Sequence, residues 1–264
     1  MTELLHSKIL GQGKPLLILH GLFGMGDNWI TLGRQFANHF EVHLIDMRNH
    51  GRSFFDNCMH YEMMAEDIAR YIAYYELENV NVIGHSMGGK ATMWLSVLYP
   101  DVLDKIVVID IAPKSYNQRH LKVFEALNKV DFSTLKNRHE VKLFLQQYIK
   151  EEKMLLFMLK NVYYKSMHRQ NGSKDELAFR FNLPVLYERY SLINEPLLAQ
   201  SRYEKDVLFL KGELSDYIVE DDIPLIKAHF PKAQMVEVPK ASHWVHADNP
   251  EFLFKQCLTF FTQS

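Results

Sequence analysis

Residues 84–88 read G-H-S-M-G and match the pattern G-x-S-x-G at the end of a β-branched run, 80–83. A helix-like apolar segment, 89–99, follows immediately. A strand that turns sharply into a helix while exposing a serine needs small residues on both sides, because the backbone is strained and neighbouring side chains would clash. The pattern therefore predicts a strand, a tight turn and a helix, with Ser86 exposed as a candidate nucleophile. An ordinary glycine-rich turn is the alternative if the pattern stands alone.

A histidine downstream has the position that such a serine requires. His243 follows the strand-like run 234–238 and precedes a helix that begins near 249–250. A histidine in the loop after the last strand can reach the turn at Ser86 and act as a general base and then as a general acid. His246 is the nearest rival, and its position closer to the helix start favours a structural role.

Backbone donors for a developing oxyanion are predicted near the N-terminus. Residues 18–24 read I-L-H-G-L-F-G, which places an H-G-x-x-G turn after the first strongly apolar strand. A backbone N–H group in this turn can face the serine, so we expect the amide of Met87 and that of Leu22 or Phe23 to form an oxyanion hole. His20 is interpreted as a residue that fixes the loop by hydrogen bonding.

Short β-branched strands alternate with helical patterns along the chain, which predicts an α/β fold with a mostly parallel, twisted sheet flanked by helices. The strand candidates are 15–20, 41–46, 80–84, 105–110, 206–211 and 234–238. Between 114 and 205, apolar residues recur at helical spacing and no β-branched run interrupts them. We therefore predict a core domain formed by 1–113 and 206–264, with 114–205 inserted as a helical cap.

Composition excludes several other classes of protein. The chain of 264 residues is 47% apolar and 12% aromatic, as is normal for a globular protein. No run approaches the ~18 apolar residues of a membrane span, and the N-terminus does not resemble a signal peptide, so a cytoplasmic location is expected. Cys58 and Cys257 have no metal-ligand spacing and are expected to be reduced and structural. Phosphate-loop and dinucleotide patterns are absent from the sequence, so no cofactor and no metal are expected.

Five segments together resemble the α/β-hydrolase superfamily across essentially the whole chain. They are H-G-L-F-G-M-G-D-N-W at 20–29, D-M-R-N-H-G-R-S at 46–53, G-H-S-M-G-G-K-A at 84–91, V-I-D-I-A-P at 108–113 and S-H-W-V-H-A-D-N-P at 242–250. They are most similar to the YbfF-type esterases, a bacterial group with mitochondrial relatives. The resemblance implies the α/β-hydrolase fold and hydrolysis of esters and thioesters, with acyl-CoA among the substrates of the group. In the 46–53 turn we expect Asp46 and Arg48 to bond backbone groups and one another.

The acid of the implied triad has two candidates. Superfamily members usually carry it three residues past the glycine after the strand equivalent to 207–211, and that place, counted from Gly212, is occupied by Ser215. Asp216 comes one residue late. Asp110 ends an apolar strand, where a carboxylate is buried at a cost unless a group such as a histidine N–H pairs with it. YbfF-like sequences keep the aspartate of D-I-A-P and have serine at the usual acid place, which favours Asp110, and both candidates preserve the chain order Ser, Asp, His.

Charge is distributed unevenly between the two predicted parts. Residues 114–205 contain 17 Lys and Arg against 10 Asp and Glu, whereas the rest of the chain contains 13 against 22. Solvation of surface helices is one explanation. The other is that the cap attracts an anionic substrate such as acyl-CoA, with Lys114, Arg119 and Lys122 as candidate contacts. The formal net charge of −2 and the lack of basic runs longer than two residues disfavour a nucleic-acid partner.

The sequence thus predicts a serine hydrolase that acts on a small-molecule ester or thioester through an acyl-enzyme, with Ser86 attacking, His243 moving the proton and Asp110 orienting the imidazole. One alternative is a lyase of the same fold, because 20–29 also resembles the menaquinone-pathway enzyme that eliminates pyruvate. That enzyme's pattern prefers an acid at the place of Ser215. A second alternative, a ligand-binding scaffold without catalysis, is disfavoured by the intact Ser86 and His243. The oligomeric state is left open.

Overall fold

The computed structural model describes residues 3–169 and 172–263, without the side chains of 167–169 and 172–175. The strands are β1 (Ser7–Leu10), β2 (Pro15–Leu19), β3 (Glu41–Ile45), β4 (Val80–His85), β5 (Leu103–Ile109), β6 (Val162–Arg169), β7 (Gly172–Phe179), β8 (Val207–Gly212) and β9 (Ala233–Val238). The α-helices are α1 (Ile30–Phe36), α2 (Tyr61–Tyr74), α3 (Met87–Leu98), α4 (Leu121–Asn128), α5 (Arg138–Leu145), α6 (Glu152–Lys160), α7 (Leu183–Glu188), α8 (Tyr190–Ile193), α9 (Ile223–His229), α10 (Val245–Asp248) and α11 (Pro250–Thr262). Short 3₁₀ turns occupy Gly26–Trp29, Pro100–Val102 and Glu220–Asp222.

Seven strands form one sheet in the order β1-β3-β2-β4-β5-β8-β9. All neighbours are parallel except β1, which pairs antiparallel with β3 at the edge. The prediction of a mostly parallel sheet is confirmed, and the six predicted strands are β2, β3, β4, β5, β8 and β9. Strand β1 was not expected because it has only four residues, S-K-I-L, none of which is fully buried.

Helices cover both faces of the sheet, which is why the central strands are largely apolar. In β5, Ile106 and Val108 belong to the core beneath α2 and α3, whereas Val107 and Ile109 belong to the core beneath α1 and α11. Successive side chains of a strand point to opposite faces, so one apolar run fills both cores. The parallel strands also end at a common edge, where the loops that follow β2, β4, β5, β8 and β9 meet.

The segment between β5 and β8 contains α4 to α8 and also an antiparallel hairpin, β6–β7, whose register runs from Val162 opposite Phe179 to Arg169 opposite Gly172. The expectation that 114–205 has no strands is therefore wrong. The dipeptide Asn171-Gly172 is a strong hairpin signal, and it stands between stretches that begin with the strand-forming V-Y-Y and end with L-A-F. We call 114–205 the cap segment, and its separation from the core as a domain stays a prediction.

Among the helices of the described residues, none combines the length and the apolar character that crossing a membrane requires.

Candidate active site

Ser86 lies in the sharp turn between β4 and α3, with φ 53° and ψ −115°. A non-glycine residue with positive φ is strained, and here the backbone around it leaves little choice. The amide of Ser86 donates to the carbonyl of Ile109 at 3.0 Å, which ties the turn to the end of β5. A Cβ at Gly84 would overlap Thr92, and one at Gly88 would overlap the backbone of Leu19. The small residues of the G-x-S-x-G pattern are therefore required by close packing.

Three side chains from distant parts of the sequence form a continuous hydrogen-bonded line. Nε2 of His243 lies 3.0 Å from Oγ of Ser86, and its Nδ1 lies 2.8 Å from Oδ2 of Asp110. Asp110 is fully buried, and it also accepts hydrogen bonds from the amide of Gly212 at 2.9 Å and from the hydroxyl of Ser215. The carboxylate therefore holds the imidazole with its proton on Nδ1, which leaves the Nε2 lone pair facing Ser86.

The structure brings Ser86, His243 and Asp110 together and leaves Asp216 outside the line. The Asp216 side chain is 73% exposed, and its Oδ1 pairs with Nη1 of Arg119 at 2.5 Å. This hydrogen bond from Arg119 lowers the pKa of the Asp216 carboxyl. The alternative acid is thus engaged elsewhere. Ser215 occupies the superfamily's usual place for the acid, and its hydroxyl donates to Asp110, a contact that the sequence did not predict.

Two further side chains position the imidazole of His243. Nε2 of His85 donates to the carbonyl oxygen of His243 at 2.8 Å. The ring of Tyr217 stacks on that of His243, with centroids 3.6 Å apart and planes 12° from parallel. The guanidinium of Arg119 lies 4.6 Å from the centroid of Tyr217. Burial holds the pKa of His85 well below its usual value, so it is a neutral donor. The sequence predicted neither the hydrogen bond from His85 nor the stacking of Tyr217, because contacts between distant loops leave no spacing pattern in a sequence.

The candidate amides for an oxyanion hole, those of Met87, Leu22 and Phe23, differ in whether they already donate a hydrogen bond within the protein. The amide of Phe23 donates to Nε2 of His50 at 3.2 Å, so it is already engaged. Within the described part of the chain, the amides of Leu22 and Met87 donate to no protein acceptor. Met87 is the first residue of α3, where an amide has no partner in its own helix and carries part of the positive end of the helix dipole. The arrangement favours Met87 with Leu22 and rules against Phe23.

Two buried histidines hold the loop that carries Leu22. His20 donates from Nδ1 to the carbonyl of Gly21 at 2.8 Å and accepts from the amide of Met47 at 3.0 Å. His50 donates from Nδ1 to the carbonyl of Arg48 at 2.9 Å, besides accepting from the loop. Burial lowers the pKa of His20 to about 4 and that of His50 to about 3. Each ring is therefore neutral and uses one donor and one acceptor, which agrees with the interpretation of His20.

The 46–53 turn is fixed differently from what the sequence suggested. Asp46 accepts from the amides of Gly26 at 2.7 Å and Arg52 at 2.9 Å, as expected for a residue that bonds backbone groups. Arg48, however, pairs with Asp67 of α2 through two hydrogen bonds of 2.6 and 2.9 Å, and the expected pair with Asp46 is wrong. The planar guanidinium matches a carboxylate in this two-point geometry, and Asp67 lies on the buried face of α2.

Ser86 and His243 line a cavity of about 480 Å³ between the strand ends and the cap segment. This volume lies within the usual range for small-molecule sites. Apolar side chains from the cap segment contribute to its wall, namely Val123, Ile149, Met154 and Phe157, as does Trp244 from the loop after β9. Arg119, Lys122 and Lys150 are its cationic residues.

Of the three candidate contacts for an anionic substrate, Arg119 and Lys122 line the cavity and Lys114 does not. The ammonium group of Lys114 bonds Oδ2 of Asp222 at 2.6 Å, so the expectation for Lys114 is corrected. Among the described residues, no group of three or more His, Cys, Asp and Glu is arranged to hold a metal ion.

A family model described as alpha/beta hydrolase fold matches residues 14–250. The chain belongs to the α/β-hydrolase family. Esterase YbfF of Escherichia coli (strain K12) is 36% identical over 247 residues, which cover 92% of this chain and 91% of that protein. The sn-1-specific diacylglycerol lipase ABHD11 of Danio rerio is 32% identical over 260 residues, which cover 95% of this chain and 79% of that protein.

Among solved structures, a marine microorganism esterase superposes with a TM-score of 0.92 at 40% identity, covering 98% of this chain and 100% of that one. The predicted α/β-hydrolase fold and the resemblance to YbfF-type esterases are confirmed. This member of a hydrolase family is thus similar over most of its length to esterases and a lipase.

Proposed function

We propose that this α/β-hydrolase is a serine esterase that cleaves carboxylic esters through an acyl-enzyme intermediate. The observation that carries the proposal is the line from Ser86 through His243 to the buried Asp110, which opens on a cavity of small-molecule size. Esterase and lipase names among the relatives support the same reaction class.

In this mechanism, Oγ of Ser86 attacks the ester carbonyl while Nε2 of His243 accepts its proton. The amides of Met87 and Leu22 stabilise the oxyanion of the tetrahedral intermediate. His243 then donates the proton to the departing alkoxide, which leaves as the alcohol. A water molecule, deprotonated by His243, then attacks the acyl-enzyme carbonyl. The resulting tetrahedral intermediate collapses, which releases the acid, and His243 returns the proton to Oγ of Ser86. Asp110 orients the imidazole throughout, and its carboxylate is held by hydrogen bonds from Gly212, Ser215 and His243.

Thioesters undergo the same acyl transfer with a thiol as leaving group, and we include acyl-CoA in the proposed substrate range. Lys122 in the cavity wall, together with the excess of basic residues in the cap segment, supports binding of a phosphate-bearing leaving group. Arg119 lines the same cavity but is paired with Asp216. The lyase and the non-catalytic scaffold are the competing functions, and neither would form a covalent acyl-enzyme.

The deciding experiment replaces the nucleophile. Ser86→Ala should abolish hydrolysis of p-nitrophenyl esters while leaving the circular dichroism spectrum unchanged, because the turn accepts a smaller side chain and, among the described residues, Ser86 supplies the hydroxyl bonded to Nε2 of His243. His243→Ala should act likewise. Mass spectrometry after fluorophosphonate treatment should show one adduct, at Ser86, in the wild type and in the control Ser133→Ala, whose serine is exposed in the cap segment. Turnover by Ser86→Ala, or an adduct at another residue, would refute the mechanism.

A further inference from the structure

One part of the cavity wall carries polar atoms that the proposed reaction does not use. It is formed by Asn28 and Trp29 of the Gly26–Trp29 turn and by His246 of α10, and we call these three residues the polar wall. The buried indole of Trp29 stacks on the ring of His246, with centroids 4.5 Å apart and planes 20° from parallel. The ring of His85 lies 4.8 Å from that of His246 and 4.9 Å from that of His243. The ring of His85 therefore lies between the polar wall and the imidazole of His243.

The imidazole of His246 is neutral and has no hydrogen-bond partner among the described residues. Burial lowers its pKa to about 4, with the charge of His243 acting in the same direction. Its Nδ1 is buried and makes no hydrogen bond with the described residues, and no other bond of its ring is present there. A buried N–H without an acceptor is rarer in proteins than an unsatisfied acceptor, which assigns the proton to Nε2. The partly exposed ring thus presents an N–H to the cavity, in addition to the structural contact that it makes by stacking on Trp29.

Asn28 supplies a second donor whose orientation is fixed. Its Oδ1 accepts a hydrogen bond from the amide of Met25 at 2.8 Å, so the other side of the amide group carries Nδ2. Among the described residues, Nδ2 has no hydrogen-bond partner, and it is not a buried atom. Asn28 itself is partly exposed and lines the cavity.

Charged side chains of both signs surround His246. Asp248 and Lys160 act on its ring with opposite signs. Asp248 is already engaged, because it accepts from the amide and hydroxyl of Ser242 and from the ammonium group of Lys153 at 2.5 Å. Neither donor of the polar wall carries a charge of its own, so an uncharged oxygen would gain hydrogen bonds there at a smaller cost in hydration than a carboxylate.

We propose that the polar wall is a specificity site that binds an uncharged oxygen of the substrate, a hydroxyl or carbonyl remote from the scissile ester, through His246 and Asn28. This rests on the proposed esterase function and adds a preference within it. Esters that carry such an oxygen in the acyl or the alcohol part should be better substrates than esters of the same shape with a methyl group in its place.

The test compares two pairs of esters in which a hydroxyl replaces a methyl group. Methyl 3-hydroxybutanoate is paired with methyl 3-methylbutanoate for the acyl part, and 2-hydroxyethyl butanoate with propyl butanoate for the alcohol part. Acid release is followed by titration, and the readout is the ratio of kcat/KM within each pair. With two donors contributing, the wild type should prefer the hydroxyl ester of at least one pair about tenfold, which corresponds to about 1.4 kcal/mol.

Two substitutions remove one donor each while keeping the local structure. His246→Phe preserves a ring on Trp29, and Asn28→Asp preserves the acceptor for the amide of Met25. Both should reduce the preference to within about threefold of unity, whereas His39→Phe, at an exposed histidine outside the cavity, should keep it. A wild type without preference in either pair, or a preference that survives in either variant, overturns the inference. Absence of turnover of all four esters would instead refute the esterase function, and the inference with it.

Discussion

The backbone conformation and the buried carboxylate of Asp110 both depend on contacts with residues that are distant in sequence. It has a positive φ of 51°, and its carboxylate is fully buried. Its amide donates to the carbonyl of Leu210 at 2.8 Å, so β8 holds the backbone in this conformation. Three donors surround the carboxylate, which offsets the cost of burying the charge. A side chain held so rigidly is suited to orienting the imidazole of His243.

The first prediction at this scale distinguishes the two candidate acids. Asp110→Asn should lower kcat at least a hundredfold, because the amide disturbs the tautomer of His243 and no longer stabilises the imidazolium. The same type of change costs about 10⁴ in a protease, which sets the scale. Asp216→Asn should cost less than tenfold, since Asp216 pairs with Arg119 at the surface. Steady-state kinetics on one p-nitrophenyl ester suffices, and a larger loss in Asp216→Asn than in Asp110→Asn would reverse the assignment.

At the scale of elements, the loop after β2 is held from several sides. His50 accepts from the amide of Phe23, and Asp46 accepts from that of Gly26, so the 46–53 turn fixes two points of the loop. Nδ2 of Asn161, which precedes β6, donates to the carbonyl of Phe23 at 2.8 Å. The position of the Leu22 amide therefore depends on both the core and the cap segment.

The charge of the cap segment leads to a prediction about ionic strength. If its basic residues attract an anionic substrate, raising the salt from low to physiological concentration should lower kcat/KM for acyl-CoA much more than for a neutral ester. The screening length falls to ~8 Å under those conditions. Lys122→Gln should weaken this difference, and Lys114→Gln, at a lysine bonded to Asp222, should leave it nearly unchanged. Equal salt sensitivity of the two substrates would assign the charge to solubility.

Across the described part of the molecule, burial lowers the pKa of His43 and of five further histidines. Burial lowers the pKa of His20, His120 and His246 to about 4 and that of His50 to about 3, and it holds the pKa of His85 well below its usual value. In the unfolded chain the same side chains titrate near 6.5. Between about pH 4 and 6.5 the unfolded state therefore binds more protons than the folded state.

This difference predicts a protein that is sensitive to acid. The free energy of unfolding should fall as the pH drops below about 6.5, by up to about 1.4 kcal/mol per pH unit for each proton that the unfolded state takes up in excess. The midpoint of urea unfolding should be clearly lower at pH 5 than at pH 7. His120→Gln should make the dependence shallower, with the exposed His139→Gln as its control. An unchanged midpoint between these pH values would contradict the prediction.

The sequence by itself determined the parts of this protein that depend on local spacing. Strand-forming runs between helical patterns predicted six of the seven strands of the main sheet, because burial on both faces demands continuous apolar residues. The glycines of G-x-S-x-G predicted the strained turn at Ser86, since close packing there excludes a side chain. His243 was predicted from its place after the last strand. The β6–β7 hairpin was missed although Asn171-Gly172 signals it, because the helical spacing upstream dominated the interpretation.

Only the tertiary structure decided between partners that are distant in sequence. Asp110 and Asp216 both satisfy the chain order. The choice depends on the adjacency of β5, β8 and β9, which brings Nδ1 of His243 within 2.8 Å of Oδ2 of Asp110. The partner of Arg48 and the cavity-facing position of His246 were decided in the same way. Hydrogen bonds, stacking and charge pairing act over a few ångströms, and a sequence places residues in order along the chain without stating which distant ones come that close.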